Sequence, residues 1–135
     1  MRIAVPRETQ DNELRVGMTP DGARQLARAG HEVIIETGAG VGSGIDDDAY
    51  RAAGARLAAD AAETWSAGEL IVKVKQPSEA ECELFTEGSA LFSFTHTETR
   101  PWLARAFLQR RMTVISFERV RLEDGRLPLL EPMSH

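Results

Sequence analysis

Three side chains in this sequence could act together on a small anion: Arg15, Lys75 and His96. A guanidinium grips a carboxylate through two parallel hydrogen bonds, an ammonium adds a compact positive charge, and an imidazole exchanges a proton near neutral pH. Lysine is scarce here. Fourteen arginines stand against two lysines, and both lysines fall in the stretch Lys73-Val74-Lys75-Gln76. Two residues apart on an extended segment, they are expected to point to the same side. Arg15 falls in the polar loop after the first apolar run, and His96 follows Phe92-Ser93-Phe94-Thr95, with Thr97 and Glu98 after it. Taken singly, each charge reads as a solvated surface group. A joint site requires a fold that carries all three to one edge.

Two further motifs invite a functional reading. Gly38-Ala39-Gly40-Val41-Gly42-Ser43-Gly44 resembles a phosphate-cradling loop, yet no register places glycine or alanine at the third position of a dinucleotide fingerprint. It also follows the second apolar run, whereas the fingerprint belongs to the first strand-to-helix turn. It reads as a flexible connection whose glycines supply positive φ. Asp46-Asp47-Asp48 could suggest a hard metal ion, but no oxygen ligands follow at calcium-loop spacing. Carboxylates entering a helix are expected there as caps and dipole partners, and no metal site is expected.

The positioning elements follow from punctuation and periodicity. Arg2–Val5 reads as a strand stopped by Pro6. Thr19-Pro20 opens a helix, with Thr19 as N-cap and Pro20 in its first turn, Ala23, Leu26 and Ala27 as its apolar stripe and Gly30 as its stop. His31–Glu36 is a second strand. Asp46–Gly54 and Ala61–Ser66 read as short helices, Leu70–Val74 as a third strand, and Ser78 as the cap of a helix through Phe85. Ala90–Phe94 is a fourth strand, Arg100–Arg111 a helix burying Leu103, Phe107 and Trp102, and Met112–Phe117 a fifth strand. Strands separated by helices need crossover connections, so the expected fold is α/β, a mostly parallel sheet with helices on both faces. In such sheets ligands bind outside the carboxyl ends of the strands, where Arg15, Lys75 and His96 would lie.

Composition bounds the answer. The 135 residues suffice for one domain with a real core. A formal charge of −5 argues against a nucleic-acid footprint, no apolar run approaches a membrane span, and the start lacks a signal-peptide core. A lone Cys82 excludes an internal disulfide and a cysteine zinc cage. The expectation is a cytoplasmic domain that handles a small molecule.

Several blocks carry a resemblance. Met1–Glu8, Asn12–Val16 with Thr19-Pro20, Gly30-His31-Glu32-Val33, Gly38–Ser43, Val72–Pro77 and Leu127–Ser134 resemble, in order and spacing, the start of alanine dehydrogenases. These form a superfamily with the alpha subunit of proton-translocating transhydrogenase. The resemblance implies a Rossmann-like or flavodoxin-like substrate domain at 1–135 and an NAD-dependent, reversible oxidative deamination of L-alanine to pyruvate and ammonia. It further implies His96 as catalytic acid/base, Arg15 and Lys75 as substrate-binding residues, Ser134 as a cofactor contact, and a homo-oligomer when full length. Glu118, at a strand end, reads as a solvated acid. The family pattern continues beyond Met133-Ser134 with a glutamate and a long helix, whereas this chain reads His135. The nucleotide-binding domain is therefore expected outside it, and the 135 residues alone are expected to be inactive. Transhydrogenase alpha subunits lack the histidine, so His96 favours the dehydrogenase. The alternatives are a transhydrogenase-like subunit, a saccharopine-pathway-type reductase, and a non-catalytic module for 2-oxo or amino acids.

Overall fold

The computed structural model describes residues 1–9, 13–94 and 101–116. Apolar runs become six strands: β1 Arg2–Val5, β2 Glu32–Glu36, β3 Arg56–Ala58, β4 Leu70–Lys75, β5 Ala90–Phe94 and β6 Thr113–Ser116. Between them lie α1 Pro20–Arg28, α2 Asp47–Ala52, α3 Ala61–Ala67, α4 Glu79–Cys82 and α5 Pro101–Gln109. All five strand pairings are parallel, and the strand order is β3-β2-β1-β4-β5-β6. This is the Rossmann order rather than the flavodoxin one, and its topological switch point lies between β1 and β4.

Alternation along the strands builds two cores. Ile3, Val5, Val33, Ile35 and Val72 face α1 and α2, where Ala23, Tyr50 and Ala53 are buried. Ala4, Ile34, Ile71 and Leu91 face Trp65 of α3 and Leu103 and Phe107 of α5. Phe85 joins the second core, with its ring 5.5 Å from those of both Trp65 and Phe107. Helices thus cover both faces, as the spacing of the runs requires.

Local punctuation acts as expected at the helix starts. The Thr19 side chain accepts from Gly22 N–H, with proline in the first turn, and Gly30 follows the helix at φ 97°. Ser78 and Glu81 form a reciprocal capping box at α4. Three details differ from expectation. β3 carries no strand signal in its short Arg-Leu-Ala sequence. The helix opened by Ser78 ends at Cys82, because Leu84 and Phe85 donate to carbonyls three residues back as the chain tightens to bring Phe85 into the core. The β4–β5 register shifts between Val72 and Lys75, so simple alternation does not carry from Lys73 to Lys75.

Ile71 is fully buried on a central strand of the sheet. Ile71→Ala should cost about 2–5 kcal/mol through lost transfer energy and a residual cavity. Urea denaturation should show a lower midpoint at unchanged slope.

Candidate functional site

The carboxyl ends of β1 and β4 flank the switch point, and the loop leaving β1 bends over both. Gly17 makes that bend possible. A Cβ there would meet the Val72 carbonyl oxygen at 2.6 Å, so the loop can lie directly on β4 only with glycine. Leu14 is fixed from the other side, since its carbonyl accepts from the Ser43 hydroxyl at 2.7 Å. Gly42 packs on the same carbonyl, where a Cβ would stand at 2.9 Å.

Arg15 sits between these two anchors, and Glu13 holds it. Arg15 Nη2 donates to Glu13 Oε1 at 2.9 Å and Nε to Oε2 at 3.0 Å, while the Arg15 backbone N–H reaches Oε2 at 2.9 Å. The Glu13 side chain is 3% exposed and that of Arg15 is 48% exposed. Lys75 Nζ lies 4.0 Å from the same Oε1 atom and its side chain is half-exposed. One buried carboxylate therefore brings together two of the expected residues, from two different elements. Burial works to raise the Glu13 carboxyl, but the Arg15 bonds and the nearby Lys75 charge prevail and hold it below the usual carboxylate range. Its contribution to stability is thus present above the ordinary pKa of about 4.3 and is lost as pH falls through the lowered value.

Lys73 does something else. It is fully buried, with Nζ 3.1 Å from Glu8 and 3.4 Å from Glu81. Glu8 also accepts the backbone N–H groups of Val74 at 2.9 Å and Lys75 at 3.1 Å, at the irregular end of β4. The expectation that both lysines point to one side is corrected here: the register shift separates a structural lysine from an accessible one. Glu8 and Glu13 were not singled out from sequence. Their signal in the sequence is two acids in one loop, each within two residues of an arginine, Arg7 and Arg15, a pattern that solvated surface charge gives equally well.

The glycine loop is more than a flexible connection. Gly38 and Gly44 have the expected positive φ, 81° and 77°, but Gly40 and Gly42 serve close approach to Ile45, Tyr50 and Leu14. Its residues wall a cleft of about 400 Å³ that opens onto Arg7, Glu13 and Arg15. Lys75 does not line that cleft, so the pair of cations around Glu13, rather than the cleft, is the candidate anion site. The aspartates have local partners: Asp46 caps α2, Asp47 accepts from Thr37 and the Gly38 N–H, and Asp48 pairs with Arg51. Among the described residues no group of three or more potential ligands could hold a metal ion, and no helix is long and apolar enough to cross a membrane. His96, Glu118 and Ser134 lie outside the described residues.

The family model described as alanine dehydrogenase/PNT, N-terminal domain, matches residues 4–135. The chain belongs to that family. An alanine dehydrogenase of Methanococcus maripaludis is 48% identical over 134 residues, covering 99% of this chain and 36% of that protein. One from Halomonas elongata is 44% identical over the same shares. A solved L-alanine dehydrogenase superimposes with a TM-score of 0.94 at 42% identity, over 99% of this chain and 37% of its own. A transhydrogenase from Sinorhizobium meliloti follows with a TM-score of 0.82 at 28% identity, over 87% and 35%. This alanine dehydrogenase/PNT N-terminal domain thus spans little more than a third of the curated relatives' length.

Lys73→Met in this family domain would leave Glu8 and Glu81 buried without their cation, and should cost about 3–5 kcal/mol. Lys75→Met, at a half-exposed pair, should cost no more than about 1 kcal/mol. Parallel denaturant curves of the two variants check the contrast.

Proposed function

We propose that this chain is the substrate-binding half of an NAD-dependent alanine dehydrogenase, which carries out the reversible oxidative deamination of L-alanine to pyruvate and ammonia. The observation that carries the reading is the edge of Arg15 that Glu13 leaves uncovered among the described residues. Glu13 takes the Nε and one Nη2 hydrogen, and a guanidinium has five, so the end-on fork of Nη1 and Nη2 is left for an incoming carboxylate. Lys75, against the same Glu13 oxygen, adds a second positive point where negative charge develops on the substrate oxygen. Both cations stand at the strand ends beside the switch point, where α/β sheets bind ligands. The high identity to proteins named alanine dehydrogenase supports the dehydrogenase over a transhydrogenase-like role, for which the similarity is lower.

In this reading Arg15 orients the substrate carboxylate, Lys75 holds its carboxylate or carbonyl oxygen, and His96 moves the proton during addition and loss of ammonia. The described residues do not fit a dinucleotide pyrophosphate. The turn after β1 offers the buried Glu8 carboxylate instead of glycine amides, and α1 opens with Asp21 in its first turn. NAD is therefore assigned to other parts of the protein, with Ser134 the contact proposed from this chain. A cytoplasmic homo-oligomer completes the reading.

Pyruvate should bind this chain weakly, at roughly millimolar strength, or about −4 kcal/mol. NMR titration should show shifts at Arg15 and Lys75 that an uncharged analogue does not produce; equal shifts with both would remove the carboxylate clamp. In the full-length protein, His96→Ala should lower kcat by about 10²–10⁴-fold. Arg15→Lys should act mainly on KM, because it exchanges a planar fork for a point charge. Steady-state kinetics with L-alanine across pH checks both, and an unchanged kcat and pH profile in His96→Ala would take that residue out of the mechanism.

A further inference from the structure

Glu13 is a buried carboxylate placed where an incoming carboxylate is expected, and holding Arg15 does not by itself require that. Its two oxygens face the two cations of the candidate site: Oε1 lies 2.9 Å from Arg15 Nη2 and 4.0 Å from Lys75 Nζ, and Oε2 takes Nε and the Arg15 backbone N–H. Glu8, the other acid whose field reaches Arg15, is bound to Lys73 at 3.1 Å. Arg7, on the cleft side, has its backbone N–H on Glu36 at 2.9 Å, and its charge is attracted to that carboxylate. Glu8 and Arg7 thus each have an opposite charge beside them. Lys73 also lies 3.4 Å from Glu81, so these neighbours leave no positive charge over, and Glu13 is the carboxylate that meets both Arg15 and Lys75.

We propose that Glu13 is the residue that sets the charge class of the substrate, admitting monocarboxylates and turning away substrates with a second carboxylate. This rests on the carboxylate-binding reading of Arg15 and Lys75. A monoanion brings one charge, which the open edge of Arg15 and the Lys75 ammonium can meet. A dianion places its second charge beside the Glu13 carboxylate, whose side chain is 3% exposed, and the two negative charges repel. Specificity by an unfavourable contact of this kind needs no pocket wall, and so acts on ligands as small as the substrate itself. The edge of Arg15 that Glu13 leaves uncovered among the described residues is what makes the arrangement workable, since Glu13 can keep its own bonds while the substrate takes the others.

The test compares malonate with its mono-amide, malonamate, which matches it in size and lacks one charge. Both are titrated into the full-length protein by calorimetry, at a pH where both malonate carboxyls are ionised, and both are measured as competitive inhibitors against pyruvate. Calorimetry needs no turnover, so it reads variants that have lost activity. In Glu13→Gln the affinity ratio of malonate to malonamate should rise about tenfold over the unsubstituted protein, roughly 1.4 kcal/mol. Glu13→Asp, which keeps the charge, should stay within about twofold of the original ratio. Glu13→Thr removes the charge by a different side chain and stands in if the glutamine variant does not fold. A residue that only holds Arg15 in place would weaken both ligands together and leave the ratio unmoved, and that result would overturn the assignment. If the unsubstituted protein binds neither pyruvate nor malonamate, the carboxylate site itself falls and the role of Glu13 with it. If it binds pyruvate and the ratio does not move in either uncharged variant, only the role of Glu13 falls.

Discussion

The carboxylate of Glu8 is the point on which the carboxyl edge of this sheet depends. It accepts from a buried ammonium and from two successive backbone N–H groups at the end of β4. Those N–H groups lie where the β4–β5 register slips, so the ladder leaves them for a side chain to satisfy. Lys73 in turn is acceptable in the interior only because two carboxylates neutralise it. The triad fixes the start of the loop after β1 to the end of β4. From that anchor the loop reaches Glu13 and Arg15, and Lys75 emerges toward them from β4.

A second constraint is steric. Gly17 lets the loop rest on the Val72 carbonyl, and Gly42 lets the glycine loop rest on Leu14. Arg15 is thereby held between a strand and a loop by backbone contacts as well as by its ion pair. Among the described residues the guanidinium is held along one edge, by Glu13, and not along the other. A side chain held in this way has little rotamer freedom left to lose.

Much of this was legible in the sequence, and the unread parts share a cause. Thr19-Pro20, Gly30 and Ser78 declare helix boundaries by chemistry confined to a few neighbouring residues, and the structure places the boundaries there. Runs such as Val33-Ile34-Ile35 and Ile71-Val72 declare a sheet covered on both faces. β3 was not legible, because Arg56-Leu57-Ala58 is a strand only by virtue of pairing with β2. The separate fates of Lys73 and Lys75 depend on a register shift against β5, which no spacing within β4 records. Gly40 and Gly42 look like flexibility until the atoms that crowd them, from Ile45, Tyr50 and Leu14, are known. The burial of Glu8 and Glu13 is not legible, because it depends on groups some sixty residues away, Lys73 for Glu8 and, beside the neighbouring Arg15, Lys75 for Glu13. His96 and Ser134, for which the family resemblance implied roles, lie outside the described residues.

The bonds of Glu8 join positions 65, 66 and 67 residues apart, and this bears on the order in which the molecule can assemble. A chain emerging from its amino end can pair β1 with β2 early, since those contacts span about thirty residues. Until β4 arrives, Glu8 and Glu13 have no lysine to meet and the loop carrying Arg15 has no strand to rest on. Loop-closure entropy places such distant contacts late in folding. The meeting of Arg15, Glu13 and Lys75 is thus a late contact, and a partly synthesised amino-terminal half carries its arginine without the lysine that stands beside it in the folded chain.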